Sequence, residues 1–181
     1  MPMFVAALSA AILAIPMSPD SGQTDPATQL SAAFFNLCGG TVASVESPIE
    51  IADFKFTKLD PKVFKKIRPT EKGPYWDVQS LTSGGRGLVQ IWSNGNCSLE
   101  IAESDERATR EAFTSAVERF GSLFGAKVTR GPDKVEQKDG LPMTSSEWVL
   151  VSGDRKLLVG LTTYPIAKYM TQHIMLLRNG S

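Results

Sequence analysis

The 181-residue sequence predicts an α+β fold: one mainly antiparallel sheet of hairpins with helices packed on it, in a single domain. Three observations lead there. Asn94-Gly95 and Gly153-Asp154 each sit between short alternating or apolar runs, the pattern of a hairpin turn. Two stretches, 25–38 and 104–124, instead carry apolar residues at helical spacing. Removal of a leader leaves about 160 residues, enough to bury roughly 70% of the unfolded surface in one core and too few for two comfortable ones.

Composition narrows the class further. A chain that is 42% hydrophobic and 21% charged is not intrinsically disordered, and its glycines follow no collagen or solenoid repeat. Lys plus Arg number 19, as do Asp plus Glu, so no overall field draws in nucleic acid and no nucleic-acid partner is expected.

Phe4 to Ile15 reads FVAALSAAILAI, twelve residues without a charge, followed by Pro16, Ser18, Pro19 and Asp20. Such a segment matches the apolar region of a secretory signal peptide, so residues 1–22 are expected to be leader and 23–181 the domain. Cleavage is expected between Ser18 and Thr24. The n-region lacks Lys and Arg, and the same pattern also suits a hydrophobic helix docked on the domain. The run is too short to span a membrane, which takes about 20 apolar residues, and none of that length follows. The expected location is therefore periplasmic or secreted, with no transmembrane span in the mature chain.

An oxidising compartment makes the two cysteines a natural pair. Asp25 as N-cap and Pro26 at the first helical position open an amphipathic helix with Leu30, Phe34, Leu37 and Cys38 on one face, stopped by Gly39-Gly40. Cys97 lies in the second arm of the Asn94-Gly95 hairpin. With a two-residue turn, Trp92 faces Cys97, and Leu88, Trp92, Cys97, Leu99 and Ile101 share the inner side. Both sulfurs then point to one interior, and a bridge closing the 59-residue separation stabilises the fold by about 4 kcal/mol in the loop-entropy model. A reactive thiol fits poorly, because there is no C-x-x-C and neither cysteine has a basic neighbour.

Residues 41–57 suit a short strand or a helical turn equally. Asp60-Pro61 starts a compact helix with Val63, Phe64 and Ile67 inward and Lys62, Lys65, Lys66 and Arg68 outward, ended by Pro69. Strand 75–81, a turn at 83–87 and the Asn94-Gly95 hairpin make a three-stranded meander. Ser104 is the expected N-cap of the next helix, whose apolar positions are Ala108, Ala112, Phe113, Ala116, Val117, Phe120, Leu123 and Phe124, with Gly125 as the stop. A short strand at 126–130 precedes an expected exposed loop from Gly131 to Thr144. Residues 146–152 and 155–164 form a second hairpin, and Met170 to Arg178 a last strand.

Candidate chemistry is sparse. His173 is the only histidine, which removes His-rich zinc sites and every motif needing two imidazoles, so neither metal nor cofactor is expected. It shares a strand face with Thr171, Met175 and Leu177, a setting for a packed histidine more than for a general base. No G-x-S-x-G elbow supports a Ser-His-Asp site. Ser83-Gly84-Gly85-Arg86-Gly87 runs into a strand rather than a helix, so it is a turn and not a phosphate cradle. Charge is unevenly spread: the first 54 residues hold five acids and no base, whereas Lys55 to Lys72 holds seven bases against Asp60 and Glu71. That segment, with Lys62, Lys65, Lys66 and Arg68 on one helix, is either a solvated face or a patch for an anionic partner such as an envelope component or acidic protein.

The order of a leader, a helix ending Phe34-Phe35-Asn36-Leu37-Cys38, and a hairpin cysteine at Asn96-Cys97-Ser98 before a capped helix resembles uncharacterised small secreted proteins of Gram-negative bacteria. The resemblance covers about residues 30 to 124 and implies no activity. The expected function is a non-catalytic binding or interaction domain; the alternative is a small hydrolase with its site assembled around His173.

Overall fold

The structure, a computed structural model, describes residues 26–39, 53–67, 75–81, 84–92, 95–102, 104–168 and 171–180. The leader, the Asp25 cap, most of 41–57, Arg68, Pro69 and the Asn94 corner lie outside the described residues. Within them the order is α1 (Pro26–Gly39), β1 (Phe54–Lys58), α2 (Pro61–Ile67), β2 (Tyr75–Ser80), β3 (Arg86–Ile91), β4 (Cys97–Ile101) and α3 (Glu106–Leu123). There follow β5 (Lys127–Arg130), β6 (Lys134–Lys138), β7 (Leu141–Ser152), β8 (Arg155–Lys168) and β9 (Thr171–Asn179). All nine strands join one sheet in the order β1-β2-β3-β4-β9-β8-β7-β5, with β6 also on β7. Every pairing is antiparallel. The hairpin sheet with packed helices is thus as expected, but nine strands against three helices make the described residues sheet-dominated rather than an even α+β mixture.

Two meanders meet at the centre. β1 to β4 run in sequence order from one edge, the strands after α3 run in from the other, and β4 pairs with β9 through Leu99↔Met175 and Ile101↔His173. Both long helices lie on one face, and their contact is aromatic: Phe34 meets Phe113 at 5.2 Å, Phe35 stacks on Phe120 at 4.3 Å, and Phe113 meets Trp148 edge-on at 5.5 Å. Such pairs add about 0.5–1.5 kcal/mol each beyond the area they bury. Beneath them Val78, Val89, Ile91, Leu99, Ile101, Leu161, Met175 and Leu177 are closed to solvent, in one core cluster that spans both meanders. No helix among the described residues is long and apolar enough to cross a membrane.

Cys38 and Cys97 are joined, with Cα atoms 5.5 Å apart and both residues fully buried. The hairpin register that brings Cys97 inward differs from expectation. Ile91, not Trp92, faces Cys97. The Gly95 N–H bonds to the Trp92 carbonyl and the Trp92 N–H to the Asn96 carbonyl, which makes the connection one residue longer than a two-residue turn, with Gly95 at φ 81°. One residue of slip exchanges the faces of β3, so Val89 and Ile91 are inside and Leu88 and Trp92 are not.

Three further boundaries move. Asp105 caps α3, its Oδ1 accepting the Ala108 N–H at 2.6 Å, while the Ser104 hydroxyl turns to Thr109 at 2.7 Å. Leu123 is not core but 59% exposed, and the buried stripe runs instead through Thr109, Phe113, Ala116, Val117 and Gly121. The expected loop 131–144 is mostly strand. β6 and β7 form a hairpin across Asp139-Gly140, both at positive φ, in the primed two-residue turn that such a pair favours.

Candidate functional site

The polar groups of the fold concentrate where the first turns of α3 cross β7 and β8. Their geometry begins with a bulge in the edge of the sheet. Arg130 pairs with Trp148 and Lys134 with Ser145, so Gly131, Pro132 and Asp133 stand opposite only two residues of β7. The Gly131 N–H still reaches the Glu147 carbonyl at 2.9 Å, and the extra residue re-aims the chain. Pro132, which cannot donate to a ladder, takes the irregular position. Asp133 is thereby turned toward α3.

Its carboxylate is fully engaged. Oδ1 accepts from the Ser146 hydroxyl at 2.7 Å and from Arg130 Nη2 at 2.9 Å, and Oδ2 accepts from Arg110 Nη2 at 2.6 Å. Partial burial works to raise the Asp133 pKa, but the Ser146 and Arg130 hydrogen bonds and the two guanidinium charges together hold it below its ordinary 3.8. Arg110 also donates to Ser146 at 3.2 Å and to Thr163 at 3.3 Å, and Thr163 donates to Glu106 Oε1 at 2.8 Å. Arg130 lies over the Trp148 ring, 5.3 Å from its centre, a cation–π contact that helps to hold the guanidinium in place. A cleft of about 840 Å³ opens over these groups, lined by Asp105, Glu106, Arg107, Arg110, Arg130 and Asp133 among others.

The chemistry available there is recognition of charge. Ser146 is buried and its hydroxyl is committed to Asp133, so it is not an attacking group. Two planar guanidinium groups and several carboxylates facing one open space suit a polar ligand held by ion pairs and forked hydrogen bonds. Among the described residues no cluster of three or more His, Cys, Asp or Glu side chains stands ready for a metal ion.

The sequence-expected residues fall elsewhere. His173 is 0% exposed, on β9 between Ile101 and Thr163, and its imidazole has no opening to solvent. It is one strand from Thr163, hence next to the cleft network but inside the core. Lys62 and Lys65 are exposed on α2, which Phe64 anchors by stacking on Tyr75 at 3.8 Å and which Asp60 caps through the Lys62 N–H at 2.8 Å. The Lys66 side chain and Arg68 lie outside the described residues. Lys55 and Lys58 of β1 are exposed as well. The sequence reading missed Arg110, Arg130, Asp133, Ser146 and Thr163, which sit on α3, β5, the bulge, β7 and β8. Asp139-Gly140 was the available signal, since a hairpin there extends β7 and makes Pro132 a bulge residue.

No protein-family model, curated protein or solved structure matches the chain. The disulfide is consistent with an oxidising periplasmic or extracellular location.

Proposed function

We propose that the protein is an exported, non-catalytic binding domain whose ligand occupies the cleft between α3 and the β5–β6 bulge. The observation that carries this reading is the pair of guanidinium groups converging on Asp133, held in place by Ser146, Thr163 and Trp148 and open to an 840 Å³ space. Pre-set donors cost little ordering entropy on binding, which is how a small site gains affinity. Export is supported by the apolar run at Phe4 to Ile15, by the Cys38–Cys97 bridge and by the resemblance to small secreted proteins.

The test is ligand-induced stabilisation across a panel of small charged compounds, run on the wild type and on Arg130→Gln. Compounds at a hundredfold excess over Kd stabilise a one-site protein by about 2.7 kcal/mol. Stabilisation of the wild type that is absent in Arg130→Gln is the expected result. Equal shifts in both proteins, or no shift with any compound, refutes the cleft as the site. Turnover of any ester, phosphoester or glycoside substrate by the wild type would favour the hydrolase instead.

A second reading rests on Lys55, Lys58, Lys62 and Lys65, exposed on β1 and α2, whose charge suits an anionic envelope component or acidic protein. It does not compete with the cleft, since the two surfaces involve different elements.

A further inference from the structure

Of the cleft's carboxylates, Asp133 has both oxygens occupied, Glu111 is paired with Arg107 at 3.0 Å, and Asp105 caps the helix. Arg130 lines the cleft, its side chain is 45% exposed, and it uses only Nη2 in hydrogen bonds among the described residues, so it keeps donors to spare on Nη1 and Nε. At the opposite end, where α3 begins, Asp105 and Glu106 stand with no cation paired to them among the described residues, and Glu106 has only Oε1 engaged. The cleft thus offers spare guanidinium donors on its β5 side, from Arg130, and spare carboxylate acceptors at the start of α3, from Glu106 and Asp105.

We propose that this cleft takes a short peptide with free ends, its carboxylate received by Arg130 beside Arg110 and its ammonium by Glu106 and Asp105. The inference rests on the binding role proposed above and gives that role a ligand class. A planar carboxylate matches the fork of the Arg130 guanidinium, which Asp133 and the Trp148 ring hold in place. An 840 Å³ space lies in the range of small-ligand sites and accommodates a few residues.

Titration calorimetry with trialanine, its C-terminal amide, its N-acetyl form and inorganic phosphate tests this. The wild type should bind trialanine, amidation should weaken binding at least tenfold, and acetylation should weaken it by a smaller but clear factor. Arg130→Lys keeps the charge without the fork and should reproduce the amide's loss, and Glu106→Gln should reproduce the acetyl peptide's loss while still accepting from Thr163. Thermal melting checks that each variant is folded, and the capped peptides on the wild type decide the matter if one is not. Absence of trialanine binding, or equal binding of capped and free peptides, overturns the proposal. Phosphate binding in preference to peptide overturns it too, and makes the site one for tetrahedral anions. If panel compounds bind in an Arg130-dependent manner while trialanine does not, the peptide class falls and the binding role stands.

Discussion

Removing the Cys38–Cys97 bridge is the perturbation with the largest worked effect. The bridge closes a 59-residue separation, and the loop-entropy model assigns that closure about 4 kcal/mol. Domains of this size are stable by roughly 5–15 kcal/mol in total, so the loss is about a quarter of the whole or more. The cleanest comparison is the wild type unfolded in urea with and without reductant, because both states keep the same side chains. A double Cys38→Ala, Cys97→Ala variant serves as control; alanine is preferred to serine, whose hydroxyl in this closed core would add about 1–3 kcal/mol of its own. At 2–4 °C per kcal/mol, the melting temperature should fall by roughly 8–16 °C. The urea dependence should also steepen, since an unlinked denatured chain exposes more surface. Alkylation followed by mass analysis confirms the bridge before the melts. Coincident midpoints for the oxidised and reduced protein, within about 1 kcal/mol, would refute the claim that the staple acts on the unfolded chain.

Three more outcomes are expected. Gly121→Ala, which in an exposed helix would gain about 1 kcal/mol, should instead destabilise, because the new methyl overlaps Val128 Cγ2; a double-mutant cycle with Val128→Ala should show favourable coupling. Replacing Lys62, Lys65, Lys66 and Arg68 with Gln should change stability by less than about 0.5 kcal/mol, and retention on anionic vesicles at low salt should drop only if the basic face is functional. Asp133 has a folded pKa below its unfolded one, so its network stabilises the protein above that unfolded value of 3.8 and loses the effect as pH falls through the folded value. Melts of the wild type and Asp133→Asn should therefore converge in acid, and a constant gap down to pH 2 would count against the network.

Particular residues explain what was legible in the sequence. Cys97, Leu99 and Ile101 alternate on a strand, so their common inward face did not depend on the turn, and the pairing with Cys38 survived a wrong register. The faces of Leu88 and Trp92 did depend on it, because a three-residue connection and a two-residue one place opposite halves of β3 inside. Every residue of β6 is exposed, so Lys134 to Lys138 has no alternation of hydrophobicity to betray a strand. The cleft was invisible for a different reason. Arg110 and Ser146 are 36 positions apart, and only the pairing of β7 with its neighbours makes them partners, a fact that no single-chain periodicity records.

The two meanders share a plan: each follows a long helix, each ends in a central strand, and those strands, β4 and β9, run antiparallel. The covalent link lies wholly in the first half, at positions 38 and 97. The bridge is thus confined to one side of the seam, and what couples it to the half that carries the cleft is the β4–β9 ladder, the contacts of Phe34 and Phe35 with Phe113 and Phe120, and the core cluster common to both halves. A loss of stability at the bridge therefore reaches the cleft only across that shared seam.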